Sequence, residues 1–188
     1  MARASGTAPW PVAKLTVAEY HQLAEIGVLR PDDRLELLEG WLVPKVTNNP
    51  LHASAVQHLT HLLTIALVGT RWAVRCQLPI ALARSEPEPD IAVVAAGLPA
   101  ERHPYPAELA AVIEVAYSSI TIDRRTKARI YAAEGIEPYV IVNLAEMQLE
   151  IFTDPRPGGV AHYAQHAVLT DGTVDLAGQT FEVSDLLG

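Results

Sequence analysis

Two apolar runs of strand length carry a carboxylate at one end. Pro89-Asp90 stands directly before Ile91-Ala92-Val93-Val94, and Glu114 follows Leu109-Ala110-Ala111-Val112-Ile113 just before Val115. An ionised carboxylate is costly to bury, so two of them at the ends of buried strands demand a compensating charge or cation. The stretch between Asp90 and Glu114 is long enough for one strand, a loop and a second strand beside it. Two carboxylates at neighbouring strand ends make a hard, oxygen-rich pocket of the kind a divalent cation such as Mg²⁺ selects. Lys127 would add a positive group near an attacked phosphate.

The 188 residues fit one domain, 1–188, with 1–14 expected as a flexible N-terminal segment. A hydrophobic fraction of 49% is ample for a core. No apolar run reaches the ~18 residues that cross a bilayer; the longest, Leu59 to Val68, is interrupted by His61 and Thr64. Met1 to Pro11 lacks the continuous apolar segment of a secretory signal. Cys76 is alone, which excludes an intrachain disulfide and suits a reducing cytoplasm.

A net charge of −8 argues against a sequence-independent coat of DNA, since such binding depends on displacing counterions with Lys and Arg. It leaves room for a nuclease, whose metal site is itself acidic. Arg124, Arg125, Lys127 and Arg129 form a basic cluster, with Arg71, Arg75 and Arg84 elsewhere. Lys127 apart, each is either a phosphate contact or an ordinary solvated charge.

Thr16 and Glu19 form a capping box for a helix over Val17 to Ile26, stopped by Gly27. Leu35, Leu37 and Leu38 lead to the turn Glu39-Gly40, and Trp41-Leu42-Val43 returns as the second strand of a hairpin. Alternation sets Glu36 opposite Leu35 and Leu37, facing either a cleft or water. A helix from His52 to Val68 follows, with His52, Val56, Leu59, Leu63 and Leu67 on one stripe. Strands are expected at Trp72 to Leu82, Ile91 to Ala95, Leu109 to Val115 and Tyr139 to Val142. Ser118-Ser119 caps a helix from Thr121 to Glu134, on which Asp123, Lys127 and Tyr131 recur every four residues. Late strands are expected at Gln148 to Thr153, Val160 to His166 and Thr180 to Val183. The order predicts an α/β or α+β fold around a central mixed sheet. His58 and His61 have the spacing of a transition-metal pair but no third ligand nearby.

The residues Arg34-Leu35-Glu36-Leu37-Leu38-Glu39-Gly40, Pro50 with His52, Pro89-Asp90, Ile113-Glu114-Val115, and the series Asp123, Lys127, Tyr131, Gly135, Tyr139 together resemble the Uma2-type branch (DUF820) of the PD-(D/E)xK nuclease superfamily. The resemblance covers residues 15–155. It implies a restriction-endonuclease-like core with helices flanking the sheet, and a Mg²⁺- or Mn²⁺-dependent endonuclease acting on nucleic acid, DNA above all. Asp90, Glu114, Lys127 and Glu36 would be catalytic, with the metal on Asp90, Glu114 and the Val115 carbonyl. His52, Arg124 and Tyr131 are further candidates for substrate contact, His52 being alternatively a satisfied helix-cap histidine. The superfamily lysine two residues after the glutamate is Ala116 here, and Lys127 on the following helix takes over its role. Val140, Tyr117 and Asn143 depart from the usual tryptophan, serine and aspartate. Two rival readings stay open: a binding or scaffold protein of this fold without turnover, and a hydrolase of small phosphorylated molecules. A homodimer is expected for double-strand cleavage, paired through the late strands.

Overall fold

The structure, a computed structural model, describes residues 13–45 and 49–188. Most of the expected flexible segment, 1–12, and Val46 to Asn48 of the turn before the second helix lie outside the described residues.

Helix α1 (Val17–Glu25) opens on the expected capping box: Thr16 Oγ1 accepts from the Glu19 N–H, and the Glu19 carboxylate accepts from the Thr16 N–H at 2.8 Å. A 3-10 turn at Pro31–Asp33 leads into the hairpin of β1 (Leu35–Leu38) and β2 (Trp41–Pro44). Its two turn residues, Glu39 and Gly40, both have positive φ, as the twist of a two-residue hairpin requires. Gly40 has a second constraint, since a Cβ there would stand 2.7 Å from Lys14 Cβ and 2.8 Å from the Leu15 carbonyl. Helix α2 (Pro50–Ala66) starts at Asn49, whose side chain accepts from the His52 N–H, with Pro50 in the first turn where no amide donor is needed.

The central sheet takes β3 (Trp72–Cys76), β4 (Ile91–Ala95), β5 (Leu109–Ala116), β6 (Tyr139–Asn143), β7 (Gln148–Arg156) and β8 (His162–Leu169) in sequence order. Only β5 and β6 pair in parallel; every other neighbour is antiparallel. The parallel step needs a crossover, and the crossover carries α3 (Ile120–Ile122), a π-helical turn (Asp123–Lys127) and α4 (Ala128–Ala133). A small hairpin of β9 (Thr173–Leu176) and β10 (Gln179–Glu182) and a last helix α5 (Val183–Leu187) complete the chain. This is the mixed α/β arrangement expected, with helices against a mixed sheet.

Strand alternation sorts the core into two faces. Val112, Ala116, Tyr139, Ile141 and Phe152 pack with Ile130 and Tyr131 of α4. Ile113, Val115, Val140, Val142 and Leu149 pack with Val56, Leu59 and Leu63 of α2. Each fully buried Leu, Ile or Val contributes about 1.5–3 kcal/mol, enough in aggregate to carry several buried charges. Glu114 has the parity of Val112 and Ala116, so it projects toward the crossover helices.

Three expectations are corrected. The strand from Trp72 to Leu82 ends at Cys76, because Gln77 takes φ 50° and the chain beyond it bonds to loops: Ile80 N–H to the Pro87 carbonyl and Leu82 N–H to the Ser85 carbonyl. The helix from Thr121 to Glu134 is interrupted by the π turn. Strand β7 runs on to Arg156, and β9 and α5 were not anticipated, being short polar-apolar segments with weak periodicity.

Candidate active site

The register of β4 on β5 sets Ile91 opposite Ile113, so the next residues outward, Asp90 and Glu114, meet at the same end of the sheet. The Val115 N–H donates to Asp90 Oδ2 at 2.9 Å. His52 Nε2 lies 3.1 Å from the same oxygen, and Gln77 Nε2 donates to Oδ1 at 3.2 Å. Burial works against the Asp90 carboxylate, but His52 and the Val115 amide outweigh it and hold Asp90 below the usual carboxylate range.

Glu114 is in the opposite situation. It is 3% exposed, and burial pushes its carboxyl up to about 8, against the Lys127 ammonium beside it. Lys127 Nζ donates to Glu114 Oε1 at 2.8 Å, and the Tyr131 hydroxyl donates to the same oxygen at 2.9 Å. No donor among the described residues reaches Oε2. Burial also works against the Lys127 ammonium, yet Glu114, Glu36 and Asp123 outweigh it and raise its pKa. Nζ is 3.9 Å from Asp123 Oδ1 and 4.0 Å from Glu36 Oε1. Two carboxyl groups whose surroundings drive their pKa values apart, one held ionised and one poised near neutrality, are a common arrangement of acid–base sites.

Asp123 and Lys127 are both buried, so they are not a solvated surface pair. Burial raises Asp123, and its Oδ2 has no hydrogen-bond partner. Glu36 reaches the site from β1, with its pKa raised by burial and Oε2 accepting from the Glu88 N–H at 3.2 Å. These groups line a cavity of about 300 Å³ together with His52. Arg34, Lys45, Gln77 and Glu88 line the same cavity.

A family model described as "Uma2: Putative restriction endonuclease" matches residues 17–186. The chain belongs to the Uma2 family. Among solved structures, a crystal structure of a "putative nuclease belonging to DUF820" from Anabaena variabilis superposes with a TM-score of 0.69 at 14% identity, covering 92% of this chain and 97% of that one. At that identity the likeness is one of fold. No curated protein matches the chain.

Of the residues singled out from the sequence, this Uma2 chain brings Glu36, His52, Asp90, Glu114 and Lys127 to one cavity. Three others stand elsewhere. Tyr131 is fully enclosed and holds Glu114 rather than lining the cavity. Arg124 is turned away, donating to Glu150 at 2.8 and 2.6 Å and to Glu146 at 3.0 Å. Val115 is buried outside the lining, and the group it offers Asp90 is its N–H. Sequence reasoning missed Lys45, Glu88 and Gln77, which lie in irregular segments where no periodicity predicts direction. Asp123 was seen only as a partner of Lys127.

Proposed function

We propose that the chain is a metal-dependent endonuclease that hydrolyses phosphodiester bonds of nucleic acid, with DNA as its substrate and Mg²⁺ or Mn²⁺ as its cofactor. The observation that carries this reading is the meeting of Asp90, Glu114 and Lys127 at one end of the sheet, with Lys127 Nζ 2.8 Å from Glu114.

The donor set fits a hard cation. Among the described residues Glu114 Oε2 has no donor, Asp90 Oδ1 accepts a single hydrogen bond, and Asp123 Oδ2 is an orphan. Among the described residues no three His, Cys, Asp or Glu side chains form a ready-made cage. Mg²⁺ does not need one, because it keeps several waters and binds through one or two carboxylates and substrate phosphate. Asp90 and Glu114 would hold it, with Glu36 or Asp123 as outer partners. When bound, the cation polarises the scissile phosphate and acidifies an attacking water. His52 fixes Asp90 in orientation, Tyr131 fixes Glu114, and Lys127 faces the phosphate and stabilises charge developing on it.

Support for a small phosphorylated substrate comes from the cavity, whose volume of about 300 Å³ suits a compact ligand. On either substrate we take the chain to work as one domain, in a reducing compartment suited to its lone cysteine, and as a dimer on duplex DNA.

The deciding experiment measures plasmid nicking and thermal melting together for wild type and Glu114→Gln, with Mg²⁺ and with chelator, across neutral pH. The raised Glu114 pKa gives stability present below the ordinary value of 4.5 and lost as pH rises toward about 8. Without metal the wild type therefore melts lower as pH rises through that window, and Mg²⁺ restores it. Glu114→Gln removes the nicking and the Glu114 share of the pH slope, leaving the shares of Glu36 and Asp123, while keeping the fold. Nicking at the wild-type rate by the purified variant would overturn the reading.

A further inference from the structure

The cavity presents a problem for any phosphodiester. Five carboxylates line it, and its innermost cation, Lys127, is already surrounded by three of them. A substrate phosphate needs positive charge elsewhere. The remaining cations that line the cavity are Arg34 and Lys45, and they sit together at the open end of the β1–β2 hairpin.

The backbone fixes that pairing. The Lys45 N–H donates to the Arg34 carbonyl at 2.9 Å, just beyond the hairpin register that ends with Leu35 opposite Pro44. Arg34 is in the left-handed conformation, φ 50° and ψ 56°, which a branched or long side chain seldom adopts. The 3-10 turn at Pro31–Asp33 imposes it, and such a conformation persists only where surrounding structure over-determines it. Like charges are thus held side by side. Burial above all, with Arg34 adding to it, holds the Lys45 ammonium below its ordinary value. Two cations kept in mutual repulsion are poised for an anion, as phosphate contacts generally are.

One anion is already there. Glu88 forms an ion pair with Lys45, and its own N–H donates to Glu36 Oε2 at 3.2 Å. Arg34 is exposed, with no ion-pair partner among the described residues.

We propose that Arg34 and Lys45 form the backbone-phosphate rim of the site, engaging a nucleic-acid phosphate beside the scissile one, and that Glu88 occupies Lys45 in its place until substrate arrives. This rests on the nuclease reading above. The rim positions the strand; it contributes no chemistry. Entry of the phosphate breaks the Lys45–Glu88 pair, so Glu88 lowers affinity while cancelling one of the two positive charges at the mouth of the free site. The arrangement also accounts for a chain of net charge −8 that acts on a polyanion: two of its 14 Lys and Arg residues stand together where the strand would pass.

The test is fluorescence anisotropy of a labelled oligonucleotide, single-stranded and duplex, titrated with the full chain carrying Glu114→Gln in Mg²⁺, at a series of salt concentrations. Lys45→Gln is expected to weaken binding about tenfold without regard to sequence and to reduce the salt slope by about one. Arg34→Gln does the same, and Lys45→Arg retains binding. Glu88→Gln tightens binding, a change of sign that misfolding does not produce. Unchanged affinity and salt slope for Lys45→Gln, or weaker binding by Glu88→Gln, would overturn the rim while leaving the nuclease reading in place. Failure of the parent and of wild type to bind either oligonucleotide would overturn both.

Discussion

Lys127 holds its charge where water scarcely reaches it, at 8% exposure, balanced by three carboxylates rather than by solvent. That balance gives its replacement two separable effects. Lys127→Ala should reduce turnover by about 10²–10³, the scale of losing one electrostatic stabiliser of a transition state. Its stability should depend on pH: near wild type in mild acid, where Glu114 stays protonated, and well below it in base, where Glu114 must ionise without a partner. Exchanging the two residues, Asp123→Lys with Lys127→Asp, preserves the total charge but moves the ammonium along the helix. We expect that protein to fold and to be inactive; normal cleavage by it would refute a catalytic Lys127.

The element that aims Lys127 is the π turn from Asp123 to Lys127, whose looser winding keeps both residues on the cavity side. Such turns are rare, and many occur at functional sites. Two arginines brace it from opposite flanks: Arg124 onto Glu150 of β7, and Arg129 onto Glu39 at the hairpin turn, with a second contact at 2.8 Å. The Glu150 side chain is wholly buried while Arg124 is part-exposed. Arg124→Ala should therefore cost about 2 kcal/mol, between the values for surface and buried pairs, and lower turnover without weakening oligonucleotide binding. Urea melts and anisotropy check the two halves; weaker binding with full stability would make Arg124 a substrate contact after all. The sequence placed Asp123 and Lys127 on one helix face because their spacing of four is visible in it. It could not show the π turn, which depends on how the segment packs on the face of the sheet as it crosses from β5 to β6. Nor could it divide the basic cluster into phosphate ligands and braces, since Arg124 looks the same until Glu150, on a later strand, folds against it.

At the scale of the molecule, what was legible is what local chemistry dictates: the capping box at Thr16, the Glu39-Gly40 turn, and the apolar runs that become β4, β5 and β6. The convergence of Asp90 and Glu114 was also legible, because it follows from two strand ends. The rim at Arg34 and Lys45 was not, since it arises from a left-handed residue and from a loop whose Glu88 is held by the hairpin. Among the described residues no helix is long and apolar enough to cross a membrane. Strand β8 is an outer strand of the six-stranded sheet and mostly exposed, the edge on which a dimer would form.

The β1–β2 hairpin is a sheet of its own, joined to the 84–86 loop by the bridge between Leu37 and Glu86, by the Gly40 amide on the Arg84 carbonyl and by the Glu39 amide on Ser85 Oγ at 2.8 Å. Its strands pair with none of the six, so it can open as a unit of its own once Leu37 and Leu38 leave the core and Arg129 releases Glu39, a sub-global opening of the kind seen in native-state fluctuations. Each such opening would carry away Glu36, Arg34 and Lys45 together and leave Asp90, Glu114 and Lys127 behind: a molecule that keeps its proposed cation ligands but has lost the proposed grip on a strand. Amide hydrogen exchange reads this directly. Protection at Leu38 and Val43, whose amides bond across the hairpin, should fall well short of that at Val112 and Ile141, and oligonucleotide should raise the former alone; equal protection throughout would mean that the grip and the ligands open only when everything does.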